Sequence, residues 1–445
     1  MLFSLFENVL DRYTPVTRQI VLAFSGGVDS RVMLDLLATY RDIHPQHAYL
    51  VVHVHHGLSP NADDWMAQCE RWAGDADFAF KGIWVTLNHR GESLEKAARE
   101  ARYQAILNSV DDNALVLTGQ HADDQAETFL LALKRGSGPA GLAAMPETRP
   151  MQHAVLCRPL LEANRKAIEE YAESQGLIWI EDESNLDRRF DRNFIRQEWL
   201  PMASERWPGL VKAINRTALH CAEQETLIDE LLVQYDAEVV GTDGSLNIGK
   251  TKECSLILQS ALVRRWLKHV GRLSLSKAQL EQVFSSVINA GPDANPVLKV
   301  AQGEVRRYQG KLWFVAPYHD VSDWTASMVV NKKISLPDNL GELEIVSAQS
   351  NDNDRGMRIL APRKDEEIRV GFDPEGWSAR PAGRQGKRKL KKLFQEYGVP
   401  SWLRRRTPIL FYGETIAAVG NLFVCEDYVG DECELVWHKC HTLNA

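Results

Sequence analysis

The chain has 445 residues, of which 44% are hydrophobic, 25% charged and 8% aromatic. This composition excludes a wholly disordered, a collagen-like and a small disulfide-stapled protein. The formal net charge is −8, but the segment 380–406 holds ten Lys and Arg and one acid, so it carries +9 and the rest carries −17. A basic segment in an acidic protein indicates contact with a polyanion, unless the segment is only a solvated helix or a mobile loop.

The sequence does not indicate a membrane-spanning segment, a signal peptide or a cysteine-based metal or redox site. No stretch approaches about 18 uninterrupted apolar residues, and the N-terminus MLFSLFENVLDRY has no basic region of a signal peptide. The seven cysteines include no C-x-x-C pair. We therefore expect reduced thiols in a cytoplasmic protein, with no zinc, iron–sulfur cluster or flavin. The sequence leaves the oligomeric state open, including a homodimer.

The first 135 residues alternate between strand-like and helix-like patterns. This alternation predicts an α/β fold with a doubly wound, Rossmann-like parallel sheet. The predicted strands are 19–24, 47–57, 79–87 and 114–120, and the predicted helices are 29–40, 61–73, 92–109 and a segment ending at Lys134. Ligands of such sheets bind beyond the carboxyl ends of the strands, so we expect the strand ends SGG, HVHHG and TGQHADD to converge.

The remaining chain predicts a short strand at 177–183, helices at 215–236 and 255–290, and short β-like runs from about residue 297 onward. We divide the whole chain into three predicted domains. They are a catalytic domain of residues 1–215, a mainly helical domain of residues 216–325 and a mixed, β-rich C-terminal domain of residues 326–445. The last of these contains the basic segment 380–406.

A phosphate site is predicted where the first strand turns into the first helix of the sheet. Glycine lets the backbone approach an oxyanion closely, and the N–H groups and dipole of a helix start favour a phosphate. The spacing is neither that of a Walker loop nor that of a dinucleotide motif. The alternative is a tight turn with a helix cap. The predicted loop consists of Ser25, Gly26, Gly27, Val28, Asp29 and Ser30.

Three histidines end the second predicted strand. Alternation along a strand puts His53 and His55 on one face and His56 on the other, which disfavours a zinc site made of all three. The remaining interpretations are packed, hydrogen-bonded histidines or the lining of a nucleotide pocket. We predict that His53 belongs to the nucleotide site.

The segment HADDQAET begins the helix that ends at Lys134. Its residues His121, Asp124 and Glu127 recur every third position and so lie broadly on one side of that helix. Acids in a first turn are also favoured by the helix dipole alone, so capping is the alternative. Two carboxylates that face a cleft can bind an ammonium group or help to hold magnesium. The glycine-rich loop 134–142 that follows suits an oxyanion, or it is a flexible link.

These motifs resemble a known family. The loop SGGVDS is similar to the pyrophosphate (PP) loop of enzymes that cleave ATP between its α- and β-phosphates. Together with HVHHGL, HADDQAET, RGSGPAGL and WIEDESN followed by DRNFIR, it resembles bacterial tRNA(Ile)-lysidine synthetases. Residues 386–404 resemble the terminal domain of the long members, and the resemblance is weakest in residues 220–370. Thiolating relatives commonly need catalytic cysteines, often as C-x-x-C pairs, and this chain lacks such pairs.

The resemblance implies a ligase of tRNA modification that forms a C–N bond. It would join L-lysine to C2 of the wobble cytidine of tRNA(Ile) with a CAU anticodon. ATP with Mg²⁺ would adenylate the cytosine O2 and release diphosphate, and the lysine ε-amine would then displace AMP. The product, lysidine, would switch codon reading from AUG to AUA and charging from methionine to isoleucine. A non-catalytic RNA-binding protein with a relic nucleotide fold is the competing interpretation.

The resemblance also implies catalytic roles. The backbone of residues 25–30 would hold the β,γ-phosphates, and Asp29 would support magnesium. Asp124 and Glu127 would face the reacting centre and bind lysine, with Glu127 the better candidate for activating the amine.

Arginines complete this expected active site. Either Arg99 or Arg102 would steady the adenylate. The alternative makes these two arginines surface partners of Glu95 or Glu100.

Contacts with tRNA are expected in two segments. Arg192, Asn193 and Arg196 would approach RNA, unless they form a salt-bridge cluster with Asp187 and Asp191. In the basic segment, the side chains would meet tRNA phosphates, which position the RNA without specifying its sequence. These residues are Lys387, Arg388, Lys389, Lys391 and Lys392. Three neighbouring aromatics, Phe394, Tyr397 and Trp402, are interpreted as core residues.

Overall fold

The computed structural model describes the chain except residues 17, 58, 87–93, 184–186, 272, 274, 292–293, 348–355, 365 and 440–445. The motif residues Leu58, Ser184 and Asn185 and the first two positions of the predicted helix 92–109 lie outside the described residues, as does the side chain of Glu95. The chain forms two compact units, Met1–Ile228 and Asp229–Ala445.

The first unit is built on one sheet. Its strands are β1 (Gln19–Ala23), β2 (Ala48–His55), β3 (Ala79–Trp84), β4 (Leu115–Leu117), β5 (Thr148–Met151) and β6 (Ala154–Cys157). Its helices are α1 (Leu2–Tyr13), α2 (Val28–Ile43), α3 (Ala62–Asp75), α4 (Leu94–Leu107), α5 (Ala122–Lys134), α6 (Pro139–Leu142), α7 (Arg165–Ser174), α8 (Asp191–Phe194) and α9 (Leu200–Arg206), with a π-helical turn (Ile195–Trp199) between the last two. Helix α10 (Leu210–Val239) contains the boundary between the units.

The strand order is β3-β2-β1-β4-β6-β5. Neighbours pair in parallel except β5 and β6, which form an antiparallel hairpin at the edge. The chain runs outward from β1 through β3 and then returns to β4, so β1 and β4 flank the switch point at which such sheets bind ligands. This arrangement confirms the predicted doubly wound α/β sheet.

Both faces of the sheet are covered, which explains the continuous apolar runs of its strands. Ile20 and Leu22 of β1 belong to one core, together with side chains of α1, α2, α3 and α7. Val21 points to the opposite core, where it joins Val116 of β4 and Ile106 of α4. The sheet therefore fixes the positions of its strand ends from both sides.

The strand predicted at 177–183 is wrong. Its described residues form no strand, and Ile180 donates a single backbone hydrogen bond to the carbonyl of Gly26 at 2.9 Å. Leu177, Trp179 and Ile180 pack against the core instead of joining a ladder, whereas Ile178 is exposed. The β5–β6 hairpin escaped prediction because its strands are short and one contains Pro150, which an edge strand tolerates.

The second unit combines helices with antiparallel sheets. Its helices are α11 (Ile248–Lys252), α12 (Leu256–Gly271), α13 (Lys277–Gln282), α14 (Leu390–Glu396) and α15 (Ser401–Arg404), with a π-helical turn at Val283–Ile288 and a 3-10 turn at Glu426–Tyr428. The first strands are β7 (Leu246–Asn247), β8 (Val297–Val300), β9 (Gly303–Tyr308), β10 (Lys311–Val315), β11 (Thr325–Met328), β12 (Ile334–Ser335), β13 (Glu342–Ser347) and β14 (Met357–Ile359). The later strands are β15 (Ile368–Gly371), β16 (Ser378–Ala379), β17 (Arg388–Lys389), β18 (Ile409–Tyr412), β19 (Thr415–Val419), β20 (Phe423–Val424) and β21 (Cys433–His438).

The sheets of this unit have the strand orders β7-β10-β9-β8, β11-β15-β18-β19-β20, β12-β13-β21-β14 and β16-β17. A helical region followed by a β-rich region was expected from the sequence, and the structure confirms that succession. The domain boundaries at residues 215 and 325 stay predictions.

The basic segment adopts ordered structure. It includes strand β17 and helix α14, whose apolar side chains Leu390, Leu393 and Phe394 are buried while Lys391 and Lys392 are exposed. It is thus neither a wholly solvated helix nor a loop. Of the three aromatics interpreted as core, Phe394 and Trp402 are buried, whereas Tyr397 is 43% exposed.

We predict that Phe394→Ala destabilises the second unit by about 3–5 kcal/mol, because it removes a buried aromatic side chain and leaves a cavity. Tyr397→Ala, one turn away and half exposed, serves as the control and should cost clearly less. Denaturant unfolding of both variants measures the two free energies. Equal losses would show that the basic helix does not depend on this core.

Candidate active site at the carboxyl edge of the sheet

The loop between β1 and α2 is held by its own serines. The Ser30 hydroxyl accepts a hydrogen bond from the N–H of Gly26 at 3.0 Å and donates to the carbonyl of Gly27 at 2.9 Å. Ser25 Oγ lies 3.1 Å from Ser30 Oγ. Helix α2 begins after Gly27 with Val28 and has no side-chain cap, so its first turn can present N–H groups to an anion.

Two glycines make the loop possible. Gly26 has φ +87°, and a Cβ there would lie 2.6 Å from Ile180 Cδ1 and 3.0 Å from Cys69 Sγ. Gly119 follows β4, and a Cβ there would lie 3.1 Å from the Cβ of Asp29. The chain after β4 therefore lies directly against Asp29 in the first turn of α2, with no room for a side chain at Gly119.

Asp29 carries an unsatisfied buried oxygen. Its Oδ1 has no hydrogen-bond partner among the described residues. Burial raises the pKa of Asp29 above its ordinary value, and the charge of Asp124 adds to this, although His121 opposes it. A buried carboxylate oxygen without a donor is costly unless a cation satisfies it.

The strand-end histidines lie beside this loop. His53 is buried, and its Nδ1 donates to the carbonyl of Phe24 at 2.8 Å, which fixes the proton on that nitrogen. Burial also lowers the pKa of His53, which favours its neutral form. The structure gives His53 the contacts of a packed, hydrogen-bonded histidine, and its nucleotide role stays a prediction.

The two candidate arginines of α4 differ in their contacts. Arg102 Nε donates to His56 Nε2 at 3.2 Å, and burial together with Arg102 lowers the pKa of His56 to about 4. The Arg99 guanidinium lies over the ring of Tyr103 at 5.2 Å. Arg102 therefore contacts the histidine cluster at the strand end, and Arg99 contacts an aromatic of its own helix.

His121 begins α5 as a cap. Its Nδ1 accepts from the N–H of Asp123 at 3.2 Å, and its own N–H donates to Asp124 Oδ2 at 3.1 Å. The His121 Nε2 atom lies 3.5 Å from Asp29 Oδ1 and 3.4 Å from Asp124 Oδ2. Burial lowers the pKa of His121, but the hydrogen bond with Asp123 and the charges of Asp124 and Asp29 outweigh it and raise the pKa. Capping thus accounts for one oxygen of Asp124.

The other carboxylate oxygens bind two arginines. Arg192 donates to Glu127 Oε2 at 2.7 Å and to Asp124 Oδ1 at 3.1 Å. Arg196 donates to Glu127 Oε1 at 2.6 Å, to Glu127 Oε2 at 3.0 Å and to Asp124 Oδ1 at 2.9 Å. We refer to these four side chains as the arginine clamp. Glu127 is completely buried, so its charge depends on the clamp for compensation.

The clamp was not foreseen from the sequence, which assigned Arg192 and Arg196 to RNA. The alternative of a cluster with Asp187 and Asp191 is wrong for these two arginines, because their described partners are Asp124 and Glu127. Their contacts with RNA stay a prediction.

Asp187 and Asp191 form ion pairs with other residues. Asp191 binds Lys134 at 2.6 Å, and Asp187 binds Arg189 at 2.6 Å. The Asn193 side chain donates to the carbonyl of Asp187 at 2.9 Å. Lys134, the first residue of the glycine-rich loop, therefore contacts α8. Binding of an oxyanion by that loop stays a prediction.

Arg192 and Arg196 both contact α5 because of their positions in the helical segment. Arg192 and Arg196 are four residues apart and so share one face. The π-helical turn begins at Ile195, whose side chain packs with Ala126 and Phe129 of α5. Pro201 follows this turn and has no N–H to continue the regular ladder, which accounts for the local change in winding.

Beside the clamp lies a cavity of about 240 Å³. It is lined by Asp123, Glu127, Arg165, Arg196, Leu200, Pro201, Ser204 and Val211. The N–H of Arg165, at the start of α7, donates to Asp123 Oδ2 at 2.8 Å. Sequence reasoning missed Arg165 and Ser204 because only the packing of α5, α7 and α9 brings them to Glu127.

The second unit carries a basic hollow of about 420 Å³. It is lined by Arg384, Gln385, Gly386, Lys387, Arg388, Lys389 and Lys392. Glu396 binds Arg384 at 2.5 Å and Arg388 at 2.9 Å. Lys391 is exposed but does not line the hollow. The structure thus groups four of the five predicted RNA-binding residues of this segment.

In the described part of the chain, no group of three or more His, Cys, Asp or Glu side chains is arranged to hold a metal ion. No helix among the same residues is long and apolar enough to cross a membrane.

Known proteins resemble the chain throughout. Residues 4–203 match the PP-loop domain family, residues 246–313 the TilS substrate binding domain and residues 368–440 the TilS substrate C-terminal domain. The tRNA(Ile)-lysidine synthase of Vibrio campbellii is 47% identical over 448 residues, covering 98% of this chain and 99% of the relative. That of Vibrio vulnificus (strain CMCP6) is 46% identical over 440 residues, with coverage of 98% and 99%.

Among solved structures, the U34-tRNA thiolase NcsA from Methanococcus maripaludis with its [4Fe-4S] cluster is similar at 16% identity and a TM-score of 0.42, over 50% of this chain and 78% of that chain. The full-length identity to the two Vibrio enzymes is far higher. The chain belongs to the tRNA(Ile)-lysidine synthase family.

We predict that Gly26→Ala destabilises the first unit, because a left-handed conformation costs an alanine about 1–3 kcal/mol and the new Cβ would meet Ile180 and Cys69. Gly27→Ala is the matched control: Gly27 has φ −69°, and its Cβ would meet no atom closer than 3.8 Å. Thermal unfolding should separate the two variants. If both melted like the wild type, the described loop geometry would be incorrect.

Proposed function

We propose that this chain joins L-lysine to C2 of the wobble cytidine of tRNA(Ile) with a CAU anticodon, using ATP and forming lysidine. The observation that carries this proposal is the 47% identity to a tRNA(Ile)-lysidine synthase over nearly the full length of both chains. The product would read AUA in place of AUG and accept isoleucine in place of methionine. ATP, tRNA and free lysine are cytoplasmic substrates, so we assign the chain to the cytoplasm.

In the first step, the cytosine O2 attacks the α-phosphate of ATP, and diphosphate leaves. The N–H groups of the Ser25–Ser30 loop and the positive end of α2 would hold the β,γ-phosphates, with His53 beside the loop. Arg102, which lies at the same sheet edge, would steady the adenylate.

Asp29 fits magnesium. Mg²⁺ prefers oxygen ligands and is usually held by one or two carboxylates together with substrate phosphates. The buried Oδ1 of Asp29 accepts no hydrogen bond from a described residue and lies 3.5 Å from His121 Nε2, so it would be such a ligand. When bound, the ion would offset the charge of the departing diphosphate. A site of this kind needs no larger group of protein ligands.

In the second step, the ε-amine of lysine attacks C2, and AMP leaves with its oxygen. Glu127 and Asp124 would bind the ammonium group, and Glu127 would accept the proton that the amine must lose. Arg192 and Arg196 orient both carboxylates, and their guanidinium groups would donate to the charge that develops on the departing AMP. Each arginine side chain is 29% exposed, so it can also reach a phosphate of the RNA together with Asn193.

The basic hollow would bind tRNA phosphates. Glu396 holds Arg388 and Arg384 in place, whereas Lys387, Lys389 and Lys392 are exposed around the same concave surface. Lys391 would add charge from the adjoining face of α14. Such contacts position the RNA and contribute a salt-dependent part of its affinity.

The direct test of the function is incubation with ATP, radiolabelled lysine and separate tRNA species. We expect label to enter only tRNA(Ile) with a CAU anticodon, with AMP and diphosphate as products. Label in no tRNA under any condition would contradict the proposal.

We predict that two carboxylate variants block different steps. Asp29→Ala should abolish tRNA-dependent diphosphate release, because it removes the magnesium ligand. Glu127→Gln keeps the size of the side chain but not its charge, so diphosphate release should persist while lysine transfer falls by at least 100-fold, as for a lost general base. Single-turnover assays of diphosphate and lysidine measure both steps. Asp191→Asn, which breaks only an exposed ion pair, is the control. Normal diphosphate release by Asp29→Ala would contradict the assignment.

We predict that replacing Lys387, Lys389 and Lys392 together with alanine weakens tRNA binding and flattens its salt dependence. Each lost phosphate contact lowers the steepness of log K against log salt by about 0.7–0.9, so three contacts lower it by about 2–3. The control removes three exposed lysines elsewhere in the unit: Lys250, Lys277 and Lys332. Turnover at saturating tRNA should be kept. Unchanged affinity with lost turnover would contradict a role in positioning RNA.

A further inference from the structure

The segment 177–183 lies against the phosphate loop but has no part in the steps proposed above. Its residues form no strand, although the sequence predicted one. Leu177 and Ile180 pack against the core of the first unit, whereas Ile178 is 73% exposed. Because no ladder holds the segment, its position depends on the contacts of single residues, and Ile180 contacts the loop.

Ile180 fixes one peptide of the phosphate loop through its backbone. Its N–H donates to the carbonyl of Gly26 at 2.9 Å, and the N–H of Gly26 donates to Ser30 Oγ at 3.0 Å. The carbonyl and the N–H of a trans peptide point in opposite directions, so holding the Gly26 carbonyl on Ile180 turns the N–H of Gly27 away from Ile180. Rotation of this peptide would exchange the two groups and place a carbonyl oxygen where an N–H could bind a phosphate.

Two side chains close the space around Gly26. A Cβ there would lie 2.6 Å from Ile180 Cδ1 and 3.0 Å from Sγ of Cys69, which is completely buried in α3. A Cβ at Gly27 would lie 3.9 Å from the carbonyl oxygen of Ile180, so the segment follows the loop past both glycines. Packing therefore restricts movement of the loop in addition to the hydrogen bond.

The segment is itself anchored before and after Ile180. Before it, the Tyr171 hydroxyl of α7 donates to Asp35 Oδ2 of α2 at 2.7 Å. After it, the side chain of Asn61, at the N-cap of α3, donates to Glu183 Oε1 at 3.2 Å. Because α2 begins within the phosphate loop, the first of these bonds holds the segment in place relative to that loop.

We propose that Ile180 is a positioning residue of the phosphate loop. Its N–H fixes the peptide between Gly26 and Gly27, and its side chain holds that N–H against the loop, so the loop meets the β,γ-phosphates of ATP without rearrangement. Donors that are already oriented stabilise the charge on departing diphosphate better than donors that must first turn. Ile180 thus acts on adenylation through the loop and touches no reacting atom. This inference rests on the proposed function and deepens it.

The first test measures tRNA-dependent diphosphate release as a function of ATP concentration. Ile180→Ala keeps the N–H but removes the packing that holds it in place, so kcat/KM for ATP should fall by about 10- to 100-fold, as for a small misplacement of a reacting group. Ile180→Val loses only Cδ1 and should keep most of the activity. The assay is run well below the melting temperature of each variant, so that every chain is folded.

Leu177→Ala is the matched control, because leucine and isoleucine have the same size and both side chains pack against the same core. The N–H of Leu177 donates to the carbonyl of Ala172 in α7 at 2.9 Å, not to the loop. Leu177→Ala should lower the melting temperature as Ile180→Ala does, yet leave kcat/KM for ATP unchanged. Ile178→Ala, which removes an exposed side chain, should change neither quantity.

The second test is a double-mutant cycle that needs no activity. In the wild type, Ile180→Val should lower the melting temperature slightly, because it removes a packed methyl group. In the Gly26→Ala chain the same change removes the atom that the new Cβ would meet at 2.6 Å, so it should raise the melting temperature. The left-handed strain and the contact with Cys69 are present in both members of that pair, so the difference isolates the contact with Ile180.

Equal losses of kcat/KM in Ile180→Ala and Leu177→Ala, or wild-type activity in Ile180→Ala, would overturn the positioning role. A fall in melting temperature when Ile180→Val is added to Gly26→Ala would also overturn it. These results would leave the proposed function intact. A wild-type chain that releases no diphosphate with ATP and tRNA(Ile) would overturn the proposed function instead, so the two failures are distinguishable.

Discussion

The buried negative charge of Glu127 is the constraint on which the candidate site depends. An isolated carboxylate in the interior would be far too costly, so it must be paired and hydrogen-bonded. Its partners Arg192 and Arg196 come from a helix 65 and 69 residues further along the chain. The charge pairing therefore fixes how α8, the π-helical turn and α9 lie against α5, and the cavity forms between these elements.

The proposed site would bind two kinds of ligand of opposite charge, cations and the anionic ATP. Asp29, Asp123, Asp124 and Glu127 lie close to Arg165, Arg192, Arg196 and His121, and the proposed magnesium and ammonium contacts would use these carboxylates. ATP is itself an anion, and in the proposed site the backbone N–H groups of a helix start, which carry no net charge, would serve as its donors. The proposed phosphate site would thus need no lysine or arginine within residues 25–30.

Features that depend on neighbouring residues in the chain, such as strands and glycine turns, could be predicted from the sequence. The strands β1 and β4 are apolar runs, β2 and β3 are rich in apolar residues, and the glycines of the first loop need a specific backbone, so these features could be found from residue types alone. The segment 177–183 has the same apolar character but no neighbouring strand to pair with, which no local pattern reveals. The clamp joins residues far apart in the chain. Only its spacing of three or four residues within each helix was visible.

Under the proposed function, the two units would contribute different kinds of recognition. The lysines around the basic hollow would contact phosphates, which carry no sequence information, so they would add to the affinity for tRNA in general and not to the choice of a CAU anticodon. That choice requires groups that reach unstacked bases, and aromatic side chains commonly stack on such bases in single-stranded RNA. Phe190 and Phe194 are exposed and lie in the same helical segment as Arg192. The helical segment whose arginines compensate Glu127 therefore also exposes two aromatic rings, so under the proposed function one segment would link base recognition to the geometry of the two carboxylates.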